Sequence, residues 1–223
     1  MVPEDSTNRS VPLETRIKGE ACRIADEFPG IFSFETVYRY LREYLDKLGS
    51  VRLTDYVHIL AGRFTRERLK SLAQTRGYVT KDLPVILYLC THNAGRSLMA
   101  AAFTAHLGKD QVWAMSAGAT PAGEVNNVAV QAMGELGIDM TRESPKPVTD
   151  EVVQVADVVI TMGCGDACPV YPGKRYLDWD VADPAGQPMA VVRHIRDDIL
   201  RRVENLLNEV RTLESPSGTG GRG

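Results

Sequence analysis

Long apolar runs are missing from these 223 residues. No stretch approaches the roughly 20 apolar residues that a membrane-spanning helix needs. The first residues, MVPEDSTNRSVPLET, are polar and lack the apolar segment of a secretory signal. The cytoplasm is therefore the expected location, and no membrane partner is expected. A strong charge excess is missing too: 26 Lys and Arg face 29 Asp and Glu, for a formal charge of −3. That balance argues against nucleic acid or an acidic membrane surface as the main partner. Cysteine is scarce. Cys22, Cys90, Cys164 and Cys168 would form a structural disulfide framework only in an oxidising compartment. Cys164-x3-Cys168 lacks the second close pair of a four-thiolate zinc site, and His58, His106 and His194 are scattered. No metal and no cofactor are expected. What is present, at 43% hydrophobic residues, is an ordinary globular composition, in a chain long enough for a medium domain plus a small one.

Two textures divide the chain. Residues 1–80 read as a bundle of three helices after a frayed start. The first, ETRIKGEACRIADEF, is stopped by Pro29-Gly30. Ser33 caps the second, FETVYRYLREYLDKL, in which Val37, Tyr40, Leu41, Tyr44, Leu45 and Leu48 recur at helical spacing. Thr54 caps the third, DYVHILAGRFTRERLKSLAQT, with Val57, Leu60, Phe64, Leu69 and Leu72 apolar. Gly62 weakens the expectation that this helix is continuous. Cys22, in the first helix, is expected to be a small core residue.

From residue 81 to 213 strands and helices alternate. VILYL (85–89) is a fully apolar strand, followed by the helix RSLMAAAFTAHL, the strand VWAMS, the helix NNVAVQAMGEL, the strand DVVIT and a short strand RYLDW. The long helix PMAVVRHIRDDILRRVENLLNEVRTL closes the series, with Val192, Ile195, Ile199, Val203, Leu206 and Val210 on one face. This pattern predicts an α/β fold, a mostly parallel sheet flanked by helices and preceded by the small bundle. Trp113 and Trp179 read as packing residues. Residues 214–223 read as a disordered tail. Ligands of such sheets bind beyond the carboxyl ends of strands, and Cys90 stands at one.

The stretch from Cys90 to Ser97, CTHNAGRS, leads from strand straight into helix. Its backbone N–H groups are free to point at an anion. Gly95 permits a tight turn, and Arg96 offers a planar fork for two oxygens of a tetrahedral oxyanion. A thiolate at Cys90 would sit in the same cradle. Ser97 is placed to donate a hydrogen bond to the sulfur, and Asn93 to pin the loop by bonding to its own backbone. Thr91, His92, Asn93, Ala94, Gly95, Arg96 and Ser97 form the expected oxyanion-binding loop. A buried, inert Cys90 with Arg96 as a surface charge is the plain alternative.

Cys-x5-Arg-Ser after an apolar strand resembles the signature of the low-molecular-weight protein tyrosine phosphatases. SAG at 116–118 and DPAG at 183–186 are similar to further segments of that family, and the resemblance covers about 83–211. It implies that 81–213 is the catalytic domain and that Asp183 is the general acid, a carboxyl group able to protonate a departing oxygen. A plain turn is the other reading of Asp183-Pro184.

A phosphatase has no need of TMGCGDACP at 161–169. Two cysteines among small residues, after a strand expected to end beside Cys90, suit a thiol–disulfide relay. Gly163 and Gly165 suggest a segment able to move. CGDACP and the downstream YPGKRYLDWDVADPAGQP resemble the arsenate reductases built on this fold, and the helical N-terminus resembles that of actinobacterial members. The resemblance implies arsenate as substrate, with phosphate or sulfate as mimics. It implies catalytic roles for Cys90, Arg96, Cys164, Cys168 and Asp183, and thioredoxin as reductant. A familiar thioredoxin-linked form spaces its later cysteines more widely and carries an extra loop cysteine, where this chain has Ala94 or Gly95. Alternatives are reduction through mycothiol and a mycoredoxin, or a tyrosine phosphatase. A third is a DNA-binding regulator, suggested by Arg63, Arg66, Arg68 and Lys70 in the third helix; a solvated helix face is the more ordinary reading of that run.

Overall fold

A computed structural model describes residues 11–48, 57–163 and 170–214. The chain forms two compact units, Met1–Tyr78 and Val79–Gly223. No described helix is long and apolar enough to cross a membrane.

The first unit holds α1 (Leu13–Glu27), α2 (Phe34–Leu48) and α3 (Val57–Thr75). Ser33 caps α2, its Oγ accepting the Thr36 N–H at 3.3 Å. Val37, Tyr40, Leu41, Tyr44 and Leu45 are buried, and the Tyr44 and Phe64 rings meet at 4.6 Å between centroids. The Leu48 side chain and the expected Thr54 cap lie outside the described residues, as do most of the frayed start and of the expected tail.

Two expectations are corrected here. Cys22 is exposed, because the buried face of α1 is Ile17, Glu20, Ala21 and Ile24 and Cys22 falls off it. Gly62 does not interrupt α3. It makes room for Glu20, whose Oε1 would stand 2.3 Å from a Cβ at that position. In the basic run on α3, at least two of the four cations are paired. Arg66 bonds Glu20 and Glu27 of α1 at 2.8 Å. Arg68 is buried, pairs with Glu43 at 3.1 Å and lies 4.2 Å over the Tyr40 ring.

Burial opposes the charge on Glu20, but its bonds to Arg23 and Arg66 outweigh that and hold its carboxyl below the ordinary value. This cluster stabilises the folded unit above the range where an unfolded glutamate titrates. The contribution fades as pH falls through the lower folded value. Helix propensity alone predicts that Gly62→Ala stabilises by up to about 1 kcal/mol. We expect the reverse, a loss of about 1–2 kcal/mol from overpacking against Glu20, read as a lower urea midpoint for unfolding of the first unit.

The second unit is a four-stranded sheet in the order β2-β1-β3-β4, with all three pairings parallel. The strands are β1 (Val85–Cys90), β2 (Trp113–Gly118), β3 (Val158–Met162) and β4 (Arg175–Asp178). Every residue of β1 is buried, as its uninterrupted apolar run requires of a central strand. Side chains alternate between two layers. Ile86, Tyr88 and Cys90 join one core with α4 (Arg96–Gly108), α5 (Asn127–Gly134) and α7 (Met189–Glu214). Val85, Leu87 and Leu89 join the other with α6 (Asp150–Val155). The six apolar positions named on the last helix are all buried. Trp179 is buried beside Tyr88, and Trp113 packs on the second core.

The helix α6 has no counterpart in the sequence reading. Its DEVVQV is short and rich in β-branched valine, which lowers helix propensity. The helix expected over 126–136 ends at Gly134, and turns carry the chain to Gly137 at φ 76°. Chain order places β2 on one side of β1 and β3 on the other, so the order in which strands are added reverses between β1 and β3. Crevices form there, beyond the strand ends. Cys90 pairs in register with Met162, so β3 ends beside Cys90, as expected for a parallel sheet.

Candidate active site

The residues 90–97 wrap around the Cys90 sulfur. The Asn93 backbone N–H donates to Sγ at 3.2 Å, and Ser97 Oγ lies 3.0 Å from it. The direction of the second bond follows from its neighbours. The Lys146 backbone N–H can only donate, and it donates to Asn93 Oδ1 at 2.8 Å. That turns Asn93 Nδ2 toward Ser97 Oγ, 2.8 Å away. Ser97 accepts there, leaving its own proton for the sulfur. Asn93 is buried at φ 47°, a left-handed conformation that asparagine tolerates. Its side chain thus bonds Ser97 and Lys146, not its own backbone as the sequence suggested.

A strap after β2 sets the polarity of this loop. The N–H groups of Ala119, Thr120, Ala122 and Asn126 donate to the carbonyls of Cys90, Thr91, His92 and Ala94 at 2.8–3.2 Å. With these carbonyls drawn outward, the concave side is left to N–H groups, including those of the first turn of α4, which have no intrahelical partner. Gly118, in register with Cys90, explains the SAG segment. A Cβ there would stand 2.9 Å from the Asn93 nitrogen and 3.0 Å from the His92 carbonyl carbon. Both are backbone atoms that cannot rotate away. Gly118→Ala should therefore lower the melting temperature by several degrees and slow turnover about tenfold, as read by calorimetry and steady-state rates together.

Arg96 is buried. Its Nη2 donates to Asp183 Oδ2 at 2.7 Å and its Nη1 to the Val181 carbonyl at 3.3 Å. Asp183 Oδ1 accepts the Ala185 N–H at 3.0 Å, closing the turn. Pro184 packs on the cradle, its Cγ 2.6 Å from where a Gly95 Cβ would lie. Thus Gly95 serves the approach of the Asp-Pro loop. Gly163 has a similar use. At φ 71° it takes a conformation suited to glycine, and a Cβ on it would stand 2.9 Å from Arg96 Nη1. The conformation of this glycine thus lets the Arg96 guanidinium approach the end of β3. Thr91 Oγ1 donates to the Gly163 carbonyl at 2.8 Å, tying the cradle to the end of β3.

Cys90, Arg96 and Asp183 line one small open pocket of about 40 Å3, with His92, Ala94, Gly95, Asn126, Pro184 and Ala185. The structure therefore brings together the loop and the Asp-Pro segment, far apart in sequence. Cys164, Gly165 and Cys168 lie outside the described residues. Asn126 was missed as part of this site. The only sequence signal was an asparagine at the start of a helix, a capping position.

Residues 85–215 match the low molecular weight phosphotyrosine protein phosphatase family. Residues 17–73 match the N-terminal domain of protein-tyrosine-phosphatase-like proteins. The solved thioredoxin-dependent arsenate reductase of Corynebacterium glutamicum is similar over 90% of this chain and 98% of its own, with a TM-score of 0.81 and 36% identity. An arsenate reductase of Halalkalibacterium halodurans is 37% identical over 131 residues, 54% of this chain and 92% of its own. An arginine phosphatase of Geobacillus stearothermophilus covers 62% of this chain and 99% of its own, with a TM-score of 0.53 and 26% identity. The chain therefore belongs to the low molecular weight phosphotyrosine protein phosphatase family, with a match to a phosphatase-like N-terminal domain ahead of it.

Proposed function

We propose that this protein is a thioredoxin-coupled arsenate reductase. The carrying observation is the pocket around Cys90: among the described residues no phenyl, phenol or indole ring lines it. A tyrosine phosphatase needs an apolar wall for its aryl group. This pocket offers N–H groups, a guanidinium and a carboxyl group, which suit a small tetrahedral oxyanion such as arsenate, with phosphate or sulfate as mimics. The similarity to a thioredoxin-dependent arsenate reductase runs along almost the whole chain, and CGDACP supplies thiols that hydrolysis of a phosphate ester would not use.

In this reading arsenate docks on the N–H groups of residues 91–97 and on Arg96. The Cys90 thiolate attacks arsenic(V). An oxygen leaves as water after taking the Asp183 proton, and a sulfur–arsenic bond remains. The Cys164 thiolate then attacks Cys90 Sγ. The electron pair of the sulfur–arsenic bond stays on arsenic, which departs as arsenite, and a Cys90–Cys164 disulfide forms. Cys168 attacks Cys164, Cys90 leaves as thiolate, and thioredoxin reduces the 164–168 disulfide. Arsenic gains two electrons and one disulfide supplies them. Cys164 follows Gly163 directly, and Gly163 is held by Thr91, so the chain reaches this cysteine from the rim of the cradle. A reducing cytoplasm suits free thiols in this role.

The test is a steady-state arsenate assay supplied in turn with a thioredoxin system and with mycothiol plus mycoredoxin. Robust arsenite production with thioredoxin alone is expected. Turnover only with mycothiol would move the protein to the external-thiol route. Phosphate monoester hydrolysis faster than arsenate reduction, and unaffected by Cys164→Ser, would make it a phosphatase.

A further inference from the structure

Asn126 joins the parts of this site that must move together, and we propose that it is a positioning residue holding the Asp183 loop over the cradle. The inference rests on the reading of Asp183 as the proton donor. All of its hydrogen-bonding groups at this junction are used. The backbone N–H donates to the Ala94 carbonyl of the cradle at 2.9 Å. Oδ1 accepts the Val128 and Ala129 N–H groups at 2.9 and 3.1 Å, capping α5. Because N–H groups can only donate, these two bonds fix the amide orientation and turn Nδ2 outward. There it donates to the Pro184 carbonyl at 3.2 Å.

Pro184 directly follows Asp183 and has no N–H of its own. Its carbonyl is therefore the grip by which the turn can be held from outside, and it also accepts the Gln187 N–H at 3.2 Å. The carboxyl group reaches Arg96 through a side-chain bond alone, and Arg96 must also serve the bound oxyanion. Once an oxyanion engages that guanidinium, the Asn126–Pro184 bond and the packing of Pro184 on Gly95 keep the acid within reach of the departing oxygen. The amide is neutral, so it does this without competing for the anion. Through α5, whose Ala129 and Met133 share a core with Ile195 and Ile199 of α7, the grip rests on a fixed part of the unit.

Two variants separate the cap from the grip. Serine and aspartate both cap helices well. Serine is too short to reach Pro184, and aspartate presents an acceptor to an acceptor. Reduced full-length protein is mixed with saturating arsenate without thioredoxin, and arsenite formed in the single turnover is timed by rapid quench across pH. Asn126→Ser is expected to melt within about 2 °C of the parent and to slow this turnover about tenfold. Asn126→Asp should lose at least as much.

In an Asp183→Asn background, adding Asn126→Ser should cost less than about twofold, because its effect runs through Asp183. Equal losses in both backgrounds, or no loss from Asn126→Ser, would overturn the role. Should Asp183→Asn alone keep the full rate, it is the proton-donor reading that falls, which the same rates distinguish.

Discussion

Cys168→Ser protein is expected to make one arsenite per molecule and then stop, with thioredoxin present. Over many turnovers the expected loss is about a hundredfold or more. The reason lies in access. The first disulfide of the relay includes Cys90, which is 2% exposed and closed in by Asn93, Ser97 and the strap after β2. A protein reductant must bring its own thiolate in line with a disulfide sulfur, and that line is blocked at Cys90. In the proposed relay Cys168 would move the disulfide off Cys90, leaving both oxidised sulfurs in CGDACP. Mass spectrometry of the stalled Cys168→Ser protein should show Cys90 joined to Cys164. Cys164→Ser should fail one step earlier, with no disulfide and no released arsenite. Undiminished turnover of Cys168→Ser with thioredoxin as sole reductant would falsify the three-cysteine relay.

Arg96→Lys is expected to lower kcat/KM for arsenate by about 10²–10³. A lysine keeps the charge, so a modest effect would follow if charge alone mattered. The guanidinium does more. One arm bonds Asp183 and the other Val181, and its Nη1 end lies close to Gly163. An ammonium group is a point charge with no flat face. It cannot span two oxygens of a tetrahedral anion while keeping the Asp-Pro loop and the end of β3 in place. A loss below about fivefold in a folded variant would mean that the backbone N–H groups dominate binding.

What the sequence disclosed about this site follows from the range of the interactions. The strand–loop–helix at 85–97 was readable because its chemistry is local: an apolar run, a nucleophile, a glycine and an arginine within one turn. The face of α7 was readable because a long amphipathic repeat admits one helix. The readings that failed depended on partners distant in sequence. The partners of Arg66 and Arg68, namely Glu20, Glu27 and Glu43, lie on other helices and were not legible from the run itself. Gly62 looked like a weak point in α3 until Glu20 filled its space. Asn93 was expected to bond locally and bonds Lys146 instead. Asn126 carried no chemical signal, since an amide at a helix start is ordinary until the carbonyl in front of it belongs to the Asp-Pro loop.

The strap after β2 has a consequence for how this sequence can change. Four of its N–H groups, at 119, 120, 122 and 126, meet carbonyls of the cradle in a fixed order. It touches the anion-facing side only at Asn126, and its residues ATPAGEV look freely replaceable. Side chains there can vary widely, but length cannot. Inserting or deleting one residue between Gly118 and Asn126 shifts the donors out of step with their carbonyls. A released carbonyl oxygen can then swing inward and set a negative dipole against the bound oxyanion. The segment is tolerant of substitution and intolerant of insertion, the opposite of what its composition suggests for a surface loop.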